Sequence, residues 1–385
     1  MIFVSLFGER RGNNRAANIL RYLNDDVMFI TSDFDHSRKQ YKTPEELSGA
    51  FNIHVPSYRK NLSLDRVYSH IVFAYKLRKK LNSLQEVPTT IYCSMPTSTA
   101  AYVCGKFCKK HNVKFVIDVI DLWPDSLIPI MGRIGARFVK FLIWPWQFVT
   151  IQTYKMADVI LGESRQYAHE AACYNHRASV YPLYLGVDKK KVSELITESK
   201  LILYKPDDEI WIGYGGNLGV SYDFETLIKG VSALNGKYRY KLFLIGDGIC
   251  RMEIERLINL YSANAEITGF LEYGDLLKYL FFCDIAVNIF RDNTKVVHSY
   301  KFNDYVATNC FILNSLPGET ADMVDQYKIG LNFDFGDNSF DKVLLRCMKN
   351  WSDYKEWKIN SEQLVNDLLD KEVIYSKIKS ILYNE

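Results

Sequence analysis

At 385 residues, with 48% hydrophobic and 24% charged side chains, the chain has a soluble globular composition and, at roughly 150 residues per domain, the length of two or three domains. That balance excludes a disordered chain, a coiled coil and a collagen-like fibre. A net charge of +3 is too small to imply nucleic acid as a partner, so any basic patch has to be argued locally.

Residues 2–7 (IFVSLF) read as a strand, without the basic n-region and small-residue cleavage site of a secretory leader. Helix is expected over 13–24, 64–82 and 97–112, and strand over 26–32, 89–94, 114–121, 158–164 and 178–183. Short apolar strands alternating with amphipathic helices argue for a parallel sheet covered on both faces. The most apolar stretch, 138–151, is broken by Lys140, Pro145 and Gln147 and falls short of the roughly 18 apolar residues that a membrane span needs. Residues 186–209 are polar and charged and read as a linker. A second alternation then begins, with strands expected at 210–216, 240–246, 284–290 and 311–315 and helices at 224–234, 251–262 and 302–308. From 352 onward the chain reads as amphipathic helices without a strand. The expected class is therefore α/β, with a Rossmann-like domain over 1–185, a linker over 186–209, a second such domain over 210–351 and a helical tail over 352–385. Ligands of doubly wound sheets bind beyond the carboxyl ends of the strands, so two in tandem are expected to face each other across a cleft.

The informative residues follow those strands. After the first, Gly8 and Gly12 permit a tight turn and Asn13 or Asn14 can cap the next helix, a loop suited to a sugar or phosphate. After the strand at 114–121, Asp118 and Asp121 stand beside a Trp123-Pro124 corner, carboxylates placed to accept a hydroxyl proton. In GYGGNLG (213–219), Gly216 lets the backbone approach a ligand next to Asn217, and Gly246 sits in the similar turn IGDG (245–248). The bare backbone of ITGF (267–270), ending at Phe270, suits a planar base. Lys301 and Asp304, three apart near a helix start, suit a phosphate and a ribose, or equally an exposed ion pair.

Other features read as structural. Eight cysteines without a Cys-x-x-Cys pair are expected to be reduced thiols. Cys104, Cys108 and His111 share a helix face but lack a fourth ligand. Asp33-Phe34-Asp35 is expected to be an aspartate-rich turn. The Trp- and Arg-bearing stretch 133–156, extended by the basic helix 66–81, is suited either to an anionic membrane surface or to packing on its own sheet.

Taken together, the order of Gly-rich turn, DLWPDS (121–126), GGNLG, IGDG, TGF and YKFNDYVA (300–307) resembles the bacterial family-4 glycosyltransferases of the GT-B fold. The likeness is nearest the branch with a D-L-W-P-E-S segment found in capsule, O-antigen and exopolysaccharide clusters. It implies two Rossmann-like domains, the first for the acceptor and the second for the nucleotide sugar, and C-terminal helices that cross back to the first. It further implies retaining transfer, without a metal or a cofactor, from a nucleotide diphosphate sugar, UDP-linked by expectation, to a lipid-diphosphate-linked saccharide. The implied location is the cytoplasmic face of the membrane. By position, Asp121 lies beside the reacting sugar, Gly216 and Lys301 meet the diphosphate with Arg291, Asp304 holds the ribose, and the loop of Phe270 meets the base. Three positions depart from the pattern. Val296 stands where the first glutamate of E-x7-E is expected, and Asn217 and Tyr222 stand where many relatives carry arginine and lysine. These departures are the ground for a rival expectation, a non-catalytic GT-B-like partner or scaffold of an active transferase.

Overall fold

The computed structural model describes residues 1–10, 14–23, 26–61, 63–95, 97–124, 132–292, 296–335 and 339–383, with the backbone alone over 132–142. The chain forms two α/β units, Met1–Leu185 with Val373–Glu385, and Gly186–Glu372.

The strands of the first unit are β1 (Ile2–Val4), β2 (Met28–Ser32), β3 (Phe34–Asp35), β4 (Gln40–Tyr41), β5 (Phe51–Ile53), β6 (Thr90–Met95), β7 (Lys114–Val119), β8 (Val159–Gly162) and β9 (Ser179–Pro182). Seven of them make a parallel sheet in the order β5-β2-β1-β6-β7-β8-β9, while β3 and β4 form a small antiparallel ribbon. The helices are α1 (Arg15–Arg21), α2 (Leu64–Asn82), α3 (Ser98–His111), α4 (Gly132–Met156) and α5 (Arg165–Ala172). Side-chain oxygens of Asn14, Ser63 and Ser164 accept from the first-turn amides of α1, α2 and α5, which fixes where each helix begins. Cys104 and Cys108 are buried on α3, as packing residues are; the Cys93 thiol and then burial push Cys104 up, and burial pushes Cys108 up. The Asp33–Asp35 segment is a hydrogen-bonded turn, in which one Asp35 oxygen accepts from the Ser37 and Arg38 amides at 2.7 and 3.0 Å.

The second unit begins with α6 (Lys189–Glu198), which corrects the expectation of a structureless linker. Asp188 caps this helix, which packs against α9 (Tyr273–Phe282). Its apolar residues are too few to show as a period among the lysines and glutamates. The elements that follow, as far as Lys349, are β10 (Ile210–Gly215), α7 (Phe224–Ser232), β11 (Tyr240–Ile245), α8 (Arg251–Tyr261), β12 (Ala265–Ile267), β13 (Ile285–Asn288), α10 (Tyr300–Ala307), β14 (Phe311–Asn314), α11 (Glu319–Tyr327), β15 (Gly330–Asn332) and α12 (Ser339–Lys349). Six parallel strands run β12-β11-β10-β13-β14-β15, the doubly wound order in which the chain leaves β10 in one direction and returns to its other side at β13. The core is continuous across this sheet, from Ile212 and Tyr214 through Leu242 and Leu244 to Ile285, Val287, Phe311 and Leu313.

The helical tail divides. Residues up to Glu372 stay with the second unit, and Val373–Glu385 belongs to the first. The helices Lys371–Ser376 and Ile378–Tyr383 bury Tyr375, Ile378 and Leu382. Carbonyls of Ile381 and Leu382 accept from Lys114 Nζ at 2.7 Å and Thr90 Oγ1 at 3.3 Å, and Tyr375 donates to the Leu185 carbonyl at 3.3 Å. Where the chain enters and leaves the second unit, Val187 bridges Asp370 in parallel.

Candidate functional site

In the second unit the topological switch lies between β10 and β13, where the outgoing crossovers leave the strand ends uncovered. β10 runs into Gly216, whose φ of 122° suits glycine, and Gly246 at the end of β11 sits so close that a Cβ on it would meet the Gly216 carbonyl at 2.0 Å. The two glycine turns read from the sequence are thus one construction. α10 lies over it: the Gly215 amide donates to Tyr305 Oη at 3.1 Å, and Lys301, one turn earlier, reaches to within 3.5 Å of where a Gly216 Cβ would stand.

Lys301 is 9% exposed. Its ammonium donates to Tyr214 Oη at 2.6 Å, and that hydroxyl donates to the Asn217 carbonyl at 2.8 Å. The Nζ stands 4.1 Å from the Tyr214 ring centre, 3.5 Å from that of Tyr222 and 5.6 Å from that of Phe290. No carboxylate lies within 4 Å of it among the described residues. Burial lowers its pKa well below the ordinary ammonium value, and Asp304 offsets only part of that. Tyr222, noted above for replacing a basic residue, therefore supplies an aromatic face to the remaining cation. Arg291 follows β13, its backbone held to Ser221 at 3.0 Å and its Nε donating to the Tyr222 carbonyl at 3.2 Å. Gly216, Asn217, Gly246, Arg291 and Lys301 are brought together.

Asp304 lies one turn along α10 and accepts from Tyr273 Oη at 2.7 Å. Burial pushes its carboxyl up to about 6, against the pull of Tyr273 and Lys301. Phe270, 79% exposed, leads into the same helix as Tyr273, and a Cβ on the neighbouring Gly269 would stand 3.6 Å from the Arg251 guanidinium. Sequence reasoning missed Tyr214 and Tyr273, because a tyrosine inside a strand or at a helix start carries no signal until the partner element is placed.

In the first unit the structure separates the two candidate aspartates. Asp118 is inside β7 and fully buried. Its oxygens accept from Arg15 Nε at 2.6 Å and Nη2 at 2.7 Å, and from the Tyr92 hydroxyl, while Arg15 Nη1 donates to the Leu183 carbonyl at 2.7 Å. This corrects the reading of Asp118 as an acid or base: both oxygens are committed and neither meets solvent. Removing one partner of such a pair typically costs about 3–5 kcal/mol, because the other stays charged and dry. Asp121, two residues past the strand, is partly exposed and close enough to Arg66 and Glu163 to influence both. Gly8 is buried, and its carbonyl accepts from Thr31 Oγ1 at 2.8 Å and Lys42 Nζ at 3.2 Å. Gly12, Asn13 and Asp125 lie outside the described residues.

Glu163, which sequence reasoning passed over, directly follows β8, next to β7 in the sheet. It is 7% exposed, and burial pushes its carboxyl up to about 7, with Arg15 pulling it down and Asp118 and Asp121 pushing it further up. The signal was available, since it is an acid at a strand's carboxyl end, the same logic that picked out Asp121. A further cluster surrounds α2. Arg66 and His70 lie on its buried face, one turn apart, near Phe7, Trp123 and Trp146. Trp123 thus belongs to a group of aromatic and basic side chains.

No protein-family model and no curated protein sequence matches the chain. Solved structures do match in fold. HepE of Anabaena, solved in complex with UDP, superposes with a TM-score of 0.68 at 13% identity over 100% of this chain and 99% of its own. Sucrose-phosphate synthase from Thermosynechococcus elongatus gives 0.71 at 14% identity over 99% and 97%. WaaG, a glycosyltransferase involved in lipopolysaccharide biosynthesis, gives 0.64 at 11% identity over 100% of each chain. At these identities the likeness establishes the fold, an α/β chain of two Rossmann-like units as in the GT-B glycosyltransferases.

Glu163 makes stability depend on pH. The folded chain holds its proton more tightly than the unfolded chain, so the contribution is complete below the ordinary carboxyl pKa and is lost as pH rises toward 7. Glu163→Gln, neutral throughout, should melt above wild type at pH 8 and by a smaller margin, or none, at pH 5. An equal difference at the two pH values in calorimetry would mean that the folded carboxylate is ionised across the range.

Proposed function

We propose that the chain is a nucleotide-sugar-dependent glycosyltransferase, retaining and metal-independent, whose second unit takes the nucleotide diphosphate sugar and whose first takes the acceptor. The observation that carries this reading is Lys301, a buried ammonium without an ion-paired carboxylate, at the switch point of a doubly wound sheet. Desolvating a charge is costly, and a diphosphate oxygen is the chemistry that would complete the site. The first-turn amides of α10 and the open backbone at Gly216 favour the same anion. Asp304 and Tyr273 offer an acceptor and a hydroxyl to a ribose, and the loop at Phe270 offers backbone to a base. The likeness to HepE solved with UDP supports a uridine nucleotide.

For the chemistry, the leaving diphosphate takes the acceptor's proton on the face that the acceptor attacks, and the protein contributes orientation and electrostatics. Asp121 is proposed as the carboxylate beside the reacting sugar. The acceptor is proposed to be a lipid-diphosphate-linked saccharide in bacterial surface polysaccharide synthesis, met at the inner face of the membrane. Among the described residues no helix is long and apolar enough to cross a membrane. Peripheral attachment is supported by α2, which exposes Leu64, Tyr68, Ile71 and Tyr75 at helical spacing ahead of Lys76, Arg78, Lys79 and Lys80, and by exposed Trp144 and Phe148 on α4.

Three measurements test the proposal. In calorimetric titration, Lys301→Ala should weaken UDP more than uridine, because only UDP carries the charge it meets, whereas Asp304→Ala should weaken both; equal losses for the two ligands in Lys301→Ala would remove the donor site from this helix. Asp121→Asn should lower sugar transfer by roughly a hundredfold with UDP affinity near wild type, and unchanged turnover would refute its role. On sedimentation with phosphatidylglycerol vesicles the protein should pellet at low salt and be released at high salt; a protein that stays in the supernatant at low salt has no such surface.

A further inference from the structure

The aromatic and basic cluster around α2 holds an unusual number of unmet polar atoms. His70 is 1% exposed, and neither of its ring nitrogens has a hydrogen-bond partner. Arg66 Nε and Trp146 Nε1 are equally shut off from solvent and equally unpartnered. Arg66 is 9% exposed and donates from Nη1 to the Asn61 carbonyl at 3.0 Å, but no carboxylate comes within 4 Å of it among the described residues. These groups are neighbours. The His70 ring lies 5.9 Å from Trp146, 6.3 Å from Trp123 and 5.6 Å from Phe7, and the two indoles meet edge to face at 4.9 Å. The Arg66 guanidinium lies 5.3 Å from the Trp123 ring and 5.8 Å from that of Phe7.

Buried polar groups are hydrogen-bonded in the great majority of cases, and a cluster of exceptions calls for a specific explanation. A core built for stability alone would place leucine or phenylalanine at 66 and 70, because the rest of that face of α2 is the small Ser69 followed by Phe73, Ala74, Leu77 and Leu81. Arg66 and Trp146 are donors only, and one of them is a cation. The histidine is neutral near pH 7, since burial together with Arg66 and His36 pushes it down to about 3, so it offers one donor and one acceptor. Three donors call for an acceptor-only group, an anionic oxygen cluster, and the remaining imidazole nitrogen for a hydroxyl. The flat indole faces suit the apolar face of a sugar ring.

We propose that Arg66, His70, Trp123 and Trp146 form a subsite for an acidic saccharide, whose phosphate or carboxylate oxygens take the donors of Arg66, Trp146 and His70 while its ring lies against the indoles. The inference rests on the reading of the first unit as the acceptor unit and gives that acceptor a chemical class.

The test is the indole N–H spectrum of the full chain labelled with nitrogen-15, with Trp146 assigned by its absence in Trp146→Phe. Glucose 1-phosphate, glucuronate and methyl glucoside are titrated separately. A shift of the Trp146 signal with either anionic sugar and none with the neutral one is the expected result, and whichever of the two binds more tightly identifies the anion. Arg66→Met should weaken that binding about tenfold or more, as loss of a charge-assisted hydrogen bond does. Arg66→Lys, which keeps the charge but not the Nε donor, serves the same purpose should the methionine variant not fold. His70→Leu should weaken binding while raising the melting temperature, because it removes two unmet polar atoms. No shift with either anion, an equal shift with methyl glucoside, or unchanged affinity in the Arg66 variants would overturn the proposal. UDP binding is measured on the same sample. A chain that binds UDP and no anionic sugar overturns this subsite alone, and one that binds the anionic sugar and not UDP overturns the donor reading alone.

Discussion

The guanidinium of Arg15, which keeps its proton at any pH the fold survives, has been taken almost entirely out of water in the first unit, and that arrangement holds only because Asp118 is there with it. Arg15 opens α1, Asp118 is the fifth residue of β7, Tyr92 comes from β6, and the Leu183 carbonyl lies just past β9. One ion pair therefore fastens a helix and three strands at the edge of the sheet where ligands bind. It also distinguishes two aspartates three residues apart. The one inside the sheet is an anchor, and the one beyond the strand is partly exposed.

The second unit treats its buried cation in the opposite way. Lys301 has aromatic rings and a tyrosine hydroxyl around it but no ion-paired carboxylate, and burial lowers its pKa rather than stabilising the charge. Arg15 is thus met by an opposite charge within the fold, whereas Lys301, on α10, is met only by neutral partners. The same contrast separates Arg15 from Arg66 within the first unit.

Much of this was legible in the sequence. Alternating apolar strands and amphipathic helices located both sheets, and the strand-end rule pointed to Gly216, Gly246 and Asp121, because parallel topology makes those positions local in sequence, whereas Lys301 was read with Asp304 from their spacing near a helix start. The short edge strands β5, β12 and β15 were not, since three-residue strands with partly exposed ends carry too little apolar signal. Nor was α6, whose few apolar residues are diluted by charge. Arg66 and His70 were read only as parts of a basic helix. Their significance depends on which face of α2 turns inward and on two indoles far along the chain, and that is tertiary information. Asp118 was misjudged for a related reason: nothing near it in sequence announces that an arginine a hundred residues earlier will claim it.

The helical tail has a consequence for how the molecule is made. Tyr375, Ile378 and Leu382 are fully buried in the first unit, and the carbonyls of Ile381 and Leu382 receive hydrogen bonds from Lys114, at the start of β7, and from Thr90, at the start of β6. Leu185, the last residue of the unit's main segment, leaves the ribosome nearly two hundred residues before these side chains exist. At a synthesis rate of roughly 5–20 residues per second, the sheet waits about ten to forty seconds with its base uncovered. During that interval the nascent first unit presents apolar surface to whatever surrounds it, while the second is being threaded out. The first sheet is thus closed by residues made nearly two hundred positions after its last strand, an order that makes a chain cut before Tyr375 as damaging to the first unit as to the second.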